Sequence, residues 1–388
     1  MIETDDRIAR ATLTGLAEPG DPVLNQIVDV VGAPATLLAI RAGCLPDELR
    51  TRVADDSELG RMAERVSHWR IRLSAAEPAS DLLVAERLGV RLVCPGDAEW
   101  PTTLDDLGDR RPYALWLRGP SDLRHGCLRS VALVGARAAS PYGLRVASEM
   151  ASELGDRGWT VVSGGAMGID AAAHRGSLTA DGPTVAVLAN GVDVPYPACN
   201  DGMFAELARR ELLVSESPPG TSPRRQRFLV RNRVIAALSR GTVVVEAGRR
   251  SGALSTAHWA RKLGRVVMAV PGPVTSVSSV GCHALLRDPP PALLVTRSAE
   301  VIEAVGELGT DLASIPASPV LSRDLLDKVA QTVLEALPAR AAAGPAQIAA
   351  KAGVDLPTAN AKLGLLSAGG FVERAQGGWR LTRKAKSP

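Results

Sequence analysis

At 388 residues and 46% hydrophobic, the chain has apolar matter for two or three domains, and no uninterrupted apolar run approaches the ~18 residues of a membrane span. A net charge of +3 defines no partner by itself. Five scattered cysteines without Cys-x-x-Cys spacing argue against a disulfide framework or a zinc site, and with an acidic start lacking a signal-peptide pattern they place the chain in a reducing cytosol.

Residues 1–80 read as a helical module. Residues 3–16 form one predicted helix. Asp21 and Pro22 offer an N-cap and a first-turn proline, with Val23, Ile27, Val30 and Val31 at helical spacing behind them, and Gly43 closes the next helix. No chemistry is visible in this module.

Residues 81–305 read as an α/β body. Residues 91–94 and 114–117 are predicted strands, and six short apolar runs follow at 131–134, 159–162, 184–188, 212–214, 242–245 and 265–270. These runs are β-branched and nearly unbroken, which fits strands buried on both faces of a sheet. Helical stretches separate most of them, so parallel strands with crossovers are expected. Their carboxyl ends then share one edge, where ligands bind. The plainer alternative is that the small residues after each run merely make tight turns.

Residues 306–320 are poor in large apolar side chains and contain two prolines, the pattern of a linker. Residues 321–388 form a further unit, with helices predicted at 325–337, 346–352 and 357–366 and a hairpin over 371–381. That order suggests a winged helix-turn-helix. Its third helix offers Thr358, Asn360 and Lys362 as polar readers, a thin set that favours protein contact or weak DNA contact.

Several positions on the expected rim carry candidate chemistry. Arg137 follows the first run and is able to grip phosphate with its fork, or to salt a neighbouring loop. Ser140 and Pro141 open the next helix, whose first amides form an anion site by default. In Ser163-Gly164-Gly165 the glycines permit close backbone approach to an anion and the serine supplies a hydroxyl. This is not the dinucleotide fingerprint, and no P-loop is present. Asp170 and His174 lie four apart on a helix, as metal ligands, a catalytic pair or a loop support; the absence of a third ligand favours support.

No acidic residue falls between Glu216 and Glu246, whereas Arg224, Arg225, Arg227, Arg231, Arg233 and Arg240 all do. Such a patch suggests a phosphate-bearing partner. Phe228 within it either serves a base, as single-strand sites require, or belongs to the core. Glu246 reads as a base, or as an orienting group for Arg233 or a ligand hydroxyl. Ser251-Gly252 caps the next helix and offers another anion site. No serine, histidine and acid trio stands at a defensible spacing.

Taken in order, Gly135-Ala136-Arg137, Ser163 to Asp170 with His174, Gly191 with Tyr196-Pro197, Ser215-Glu216, Phe228 with Arg231-Asn232-Arg233, Val245-Glu246-Ala247, Ser251 to Ala257 and Val270-Pro271-Gly272 resemble the DNA-processing protein A family (DprA, also called Smf) over roughly residues 100 to 290. The resemblance implies an extended Rossmann-like parallel-sheet core that binds single-stranded DNA without turnover and without a cofactor. It also implies homodimers that protect single strands and load the RecA recombinase during natural transformation or recombination, with a helical, sterile-alpha-motif-like module before the core and a winged helix after it. Carried over by motif, Arg137 and Ser163, Gly164 and Gly165 would hold phosphates. Arg225 and Phe228, just before Arg231, Asn232 and Arg233, would contact backbone and base. His283 and the run Pro289-Pro290-Pro291 depart from the family pattern and bear on the end of the sheet and a dimer surface. Two other readings stay open: a Rossmann-like nucleotide phosphoribohydrolase of the lonely-guy type, whose Pro-Gly-Gly-x-Gly-Thr signature the chain lacks, and a nucleotide-sensing module.

Overall fold

The computed structural model describes residues 2–53, 55–73, 78–307, 311–313 and 325–386. The chain divides into two compact units, Met1–Ala313 and Ser314–Pro388. The first begins with helices α1 (Ile2–Leu16), α2 (Pro22–Ala42), α3 (Asp47–Arg52), α4 (Asp56–Leu73) and α5 (Pro78–Arg87). Asp21 caps α2 as its sequence suggests, its carboxylate accepting from the Val23 amide at 3.1 Å, and Gly43 closes the helix in the left-handed region. By length and composition α2 could span a membrane, yet it kinks at Gly32 and buries Leu24, Ile27, Val28, Leu37 and Ile40. Those side chains form one apolar core with Leu13, Leu16, Met62, Val66 and Trp69. The helices are fastened to the sheet by buried polar contacts. The Trp116 indole donates to the Thr14 hydroxyl (3.1 Å), and the Tyr113 hydroxyl donates to the Asp21 carbonyl (3.0 Å).

The sheet is built from β1 (Val90–Val93), β2 (Leu115–Arg118), β3 (Ser130–Val134), β4 (Thr160–Ser163), β5 (Thr184–Leu188), β6 (Leu212–Ser215), β7 (Gly241–Val244), β8 (Val266–Ala269) and β9 (Leu293–Leu294). Its order is β1-β2-β6-β5-β4-β3-β7-β8-β9. The pairs β1/β2 and β2/β6 are antiparallel and the rest are parallel. The six apolar runs are thus the six strands β3 to β8, and β3 to β7 are buried throughout. Crossovers run through α7 (Pro141–Asp156), α8 (Ile169–Thr179), α9 (Asp201–Arg210), α10 (Arg225–Ala237), α11 (Ala253–Lys262) and α12 (Val280–Arg287), after a short α6 (Leu123–Leu128) and before α13 (Ser298–Val305).

Alternate residues of β3 face opposite cores. Ala132 and Val134 meet Val234 of α10 and Ala257 of α11, whereas Val131 and Leu133 meet Met150 of α7 and Val301 of α13. This double coverage explains why the strands read as unbroken apolar runs. From β3 to β6 the sheet grows in one direction, and α10 then carries the chain back to lay β7 on the other side of β3. The loops leaving β3 and β7 therefore diverge and open a crevice at the carboxyl edge. The sheet continues past the proline run: β9 pairs with β8 as an edge strand, and His283 bonds the Gly272 carbonyl at 3.0 Å.

The second unit packs α14 (Lys328–Ala336), α15 (Pro345–Ala352) and α16 (Leu356–Ala368) with a hairpin of β10 (Val372–Ala375) and β11 (Gly378–Leu381), followed by α17 (Arg383–Lys386). Val333, Ile348, Leu363, Leu366 and Phe371 fill its core. On α16, Lys362 is bonded to Asp327 at 2.8 Å, while Leu356 and Leu365 are exposed. Most of the predicted linker, at 308–310 and 314–320, lies outside the described residues.

Candidate functional site

The crevice between β3 and β7 is a cleft of about 950 Å³. Its floor is Val134, Gly135 and Ala136 with the inward face of α10. One wall is the segment from Gly248 to Thr256, and Arg137, Tyr196, Arg225 and Phe228 line it as well. Asp170 is the one acid among its lining residues.

The Ser163-Gly164-Gly165 loop does not line the cleft, which corrects its reading as an anion cradle. Ser163 is buried and its hydroxyl donates to the Leu133 carbonyl at 2.6 Å. The Gly164 and Ala166 amides go to the Asp170 carboxylate at 3.1 and 3.4 Å. The glycine at 164 makes room for a side chain: a Cβ there would stand 2.4 Å from the Arg231 guanidinium. A Cβ at Gly165 would stand 2.6 Å from the Phe204 ring. Arg231 is itself buried and donates to the carbonyls of Gly164 and Val187. Burial pushes its pKa down to about 10, and burial pushes the Asp170 carboxyl up, each against the pull of the other. Asp170 is thus a loop support.

His174 is fully buried. The Thr184 hydroxyl already donates to the Val161 carbonyl, so His174 Nδ1 donates to that hydroxyl, at 2.8 Å. Burial lowers its pKa to about 3, and the ring is neutral at pH 7. The described residues hold no cluster of potential metal ligands.

The start of α7 is also corrected. Ser140 caps it, accepting from the Gly143 amide at 3.1 Å. The anion there is the protein's own: Glu246 accepts from the Ser140 amide at 2.9 Å, the Ser140 hydroxyl at 2.5 Å and the Ser278 hydroxyl at 3.2 Å. Glu246 consequently neither orients Arg233 nor stands free as a base.

The arginine cluster sorts into three groups. Arg227 grips Glu18 with two bonds at 2.8 and 3.1 Å and Arg224 lies 3.6 Å from it, which holds the Glu18 carboxyl below its usual range. Arg233 is buried in a two-pronged pair with Glu216, both bonds 2.6 Å, and also donates to the Arg110 carbonyl at 2.8 Å. It lies away from the cleft, a correction to its reading as a DNA contact. Arg137, Arg225 and Arg250 line the cleft, are exposed, and have no acidic partner among the described residues.

The remaining expected residues do gather here. Asn232 donates to the Gly252 carbonyl at 3.1 Å and so ties α10 to the opposite wall. Ser251 accepts from the Ala253 amide at 3.3 Å, and the first turn of α11 that it opens carries no acid. The Arg137 guanidinium lies over the Phe228 ring, 5.1 Å from its centre, and the Tyr196 ring stands 5.5 Å from Phe228 at an angle of 50°. Tyr196 and Arg250 were not assigned from sequence. An aromatic in a post-strand loop of a chain with 3% aromatics was the available signal for Tyr196. The result is a cationic, partly aromatic cleft.

A family model described as DNA recombination-mediator protein A matches residues 91–306. The chain is 42% identical to the putative DNA processing protein DprA of Mycobacterium tuberculosis, over 99% of this chain and 96% of that one. The X-ray structure of DNA processing protein A from Streptococcus pneumoniae aligns with a TM-score of 0.60 at 29% identity, covering 78% of this chain and 98% of that one. DNA processing protein A of Helicobacter pylori, solved for its single-stranded DNA binding mode, aligns with a TM-score of 0.50 at 28% identity, covering 55% of this chain and 94% of that one.

Proposed function

The chain belongs to the DNA recombination-mediator protein A family, and from that premise we propose that the cleft between β3 and β7 binds single-stranded DNA as a ligand and not as a substrate. The observation that carries this reading is the sorting of the arginines. Most of the cluster is neutralised by Glu18 and Glu216 or buried, while Arg137, Arg225 and Arg250 are left unneutralised around a cleft that also holds two rings. Cations for the backbone and aromatic surface for bases are what a sequence-tolerant single-strand site requires. Arg137, Arg225 and Arg250 neutralise phosphates. The positive end of α11, entered at Ser251-Gly252, adds a favourable field. Phe228 and Tyr196 supply the aromatic surface, and Arg231 and Asn232 fix the floor. The structural relative named for single-stranded DNA binding supports the choice of ligand.

Loading of RecA, homodimerisation and a cytosolic setting are proposed from the family resemblance, as is a winged-helix character for the second unit. The exposed leucines of α16, Leu356 and Leu365, support protein contact there.

The test is titration of the protein with fluorescent single-stranded and duplex DNA of one length, at two salt concentrations. Preference for the single strand, weakening with salt, is expected. Arg137→Ala then makes the dependence of log affinity on log salt shallower by about 0.7, one phosphate contact on a single strand. Absence of binding at low salt refutes the proposal and directs attention to nucleotide hydrolysis.

A further inference from the structure

Beside the cleft lies a smaller hollow of about 280 Å³, between Thr14 and Gly15 of α1 and the segment that leads into α10, with Thr221, Ser222, Arg224 and Arg227 in its lining. Among the described residues that lining holds no acid. The cleft and the hollow share a wall. Pro223 and Arg225 line the cleft, whereas Ser222 and Arg224 line the hollow. Extended backbone sends alternate residues to opposite sides, and Arg224 is extended. Neighbouring Cα atoms stand about 3.8 Å apart, so a strand that leaves the cleft at Arg225 meets Arg224 next. The ridge is fixed in place: the Gly220 amide donates to Asp193 at 2.8 Å and the Thr221 hydroxyl to the Pro218 carbonyl at 2.7 Å.

One carboxylate, Glu18, serves three guanidiniums here, and it holds them unequally. Arg227 grips it with two bonds, at 2.8 and 3.1 Å, and also donates to the Ser217 hydroxyl at 3.3 Å. Arg72 lies 3.9 Å from it and donates to the Leu16 carbonyl at 3.0 Å. Arg224 stands 3.6 Å from it with a side chain that is 66% exposed. A solvent-exposed pair of that kind is weak. A phosphate, which accepts two parallel bonds from an arginine, competes with it effectively.

We propose that the hollow is a further phosphate subsite for the bound strand, at which Arg224 exchanges Glu18 for a DNA phosphate while Arg227 stays with the carboxylate. This rests on the single-strand reading above. Glu18 is then an internal competitor for the strand, and the helical module that carries it tunes how many phosphates the protein holds.

The full chain and its variants are titrated with a fluorescent thymidine strand at several salt concentrations, and their thermal melting is recorded. Arg224→Ala is expected to make the dependence of log affinity on log salt shallower by about 0.7, one phosphate contact on a single strand. Arg224→Lys, which keeps the charge, retains the wild-type slope. Glu18→Gln tightens binding roughly 1.5- to fivefold, the span of one exposed ion pair, and that gain disappears in the Arg224→Ala background. The proposal is overturned if Arg224→Ala lowers the melting temperature with an unaltered salt slope, since Arg224 then only pins α1. It is also overturned if Glu18→Gln does not tighten binding, or tightens it equally without Arg224, its charge then acting at a distance. If Arg137→Ala changes the slope and Arg224→Ala does not, this inference falls alone. If the wild type binds no single strand, the single-strand reading itself falls, and this inference with it.

Discussion

Arg233 and Arg137 have the same chemistry and opposite roles, and the difference lies in their partners. Arg233 is removed from solvent with Glu216, so truncating it strands a buried carboxylate. Arg233→Ala is expected to cost about 3–5 kcal/mol in urea denaturation. Protein that still folds binds single-stranded DNA as the wild type does, since no contact in the cleft is lost. His174 predicts a pH dependence. Its folded pKa of about 3 lies below its ordinary value of 6.5, so the unfolded chain binds the proton more readily. The stability this group supports is full above pH 6.5 and falls as the pH drops toward 3, by up to about 1.4 kcal/mol per unit. His174→Gln removes that segment of the stability–pH curve. Denaturation midpoints of both proteins across pH 7 to 4 compare the two slopes; equal slopes mean the buried ring does not control them. The sequence did suggest a supporting role for His174, but the partners Thr184 and, for Arg233, Glu216 were not readable, because each comes next to its residue only when the strands assemble.

At the scale of elements, the strands were legible and the helix starts less so. Burial on both faces writes a strand directly into a run such as residues 131–134 or 242–245, whatever lies elsewhere. The start of α7 shows the limit. Ser140-Pro141 marks the helix correctly, yet the carboxylate filling its amide end is Glu246, brought in from the end of β7. The same packing gives Gly143 its reason: a Cβ there would lie 2.4 Å from Glu246. Gly143→Ala is expected to destabilise by about 1–3 kcal/mol, read from the denaturant midpoint. A neutral effect would mean that Glu246 is free to move away. The Ser163-Gly164-Gly165 loop was misread for a related reason. Its glycines serve close approach, as inferred, but the approaching groups are Arg231 at Gly164 and the Phe204 ring at Gly165, and not an anion.

Over the whole molecule, the order of strands does what no single motif does. The reversal between β3 and β7 brings residues 134–137, the start of α10 and residues 248–256 around one cleft, although they are spread over more than a hundred positions. The helices α1 to α4 attach through Glu18, Asp21 and Thr14 and, by engaging Arg224 and Arg227, decide which arginines stay free. All the residues proposed to touch DNA belong to Met1–Ala313. Truncation to that unit is expected to preserve single-strand affinity and salt dependence; loss of binding would assign the contact to the second unit.

The cleft's identity as the DNA site is tested most directly by photocrosslinking the full chain to a single-stranded oligonucleotide carrying a photoreactive thymidine analogue, followed by mapping of the crosslinked peptides. Crosslinks at Tyr196 and in the segments around Arg137, Arg225 and Arg250 are the expected result. Crosslinks confined to residues 325–386, or to surfaces away from β3 and β7, would contradict it.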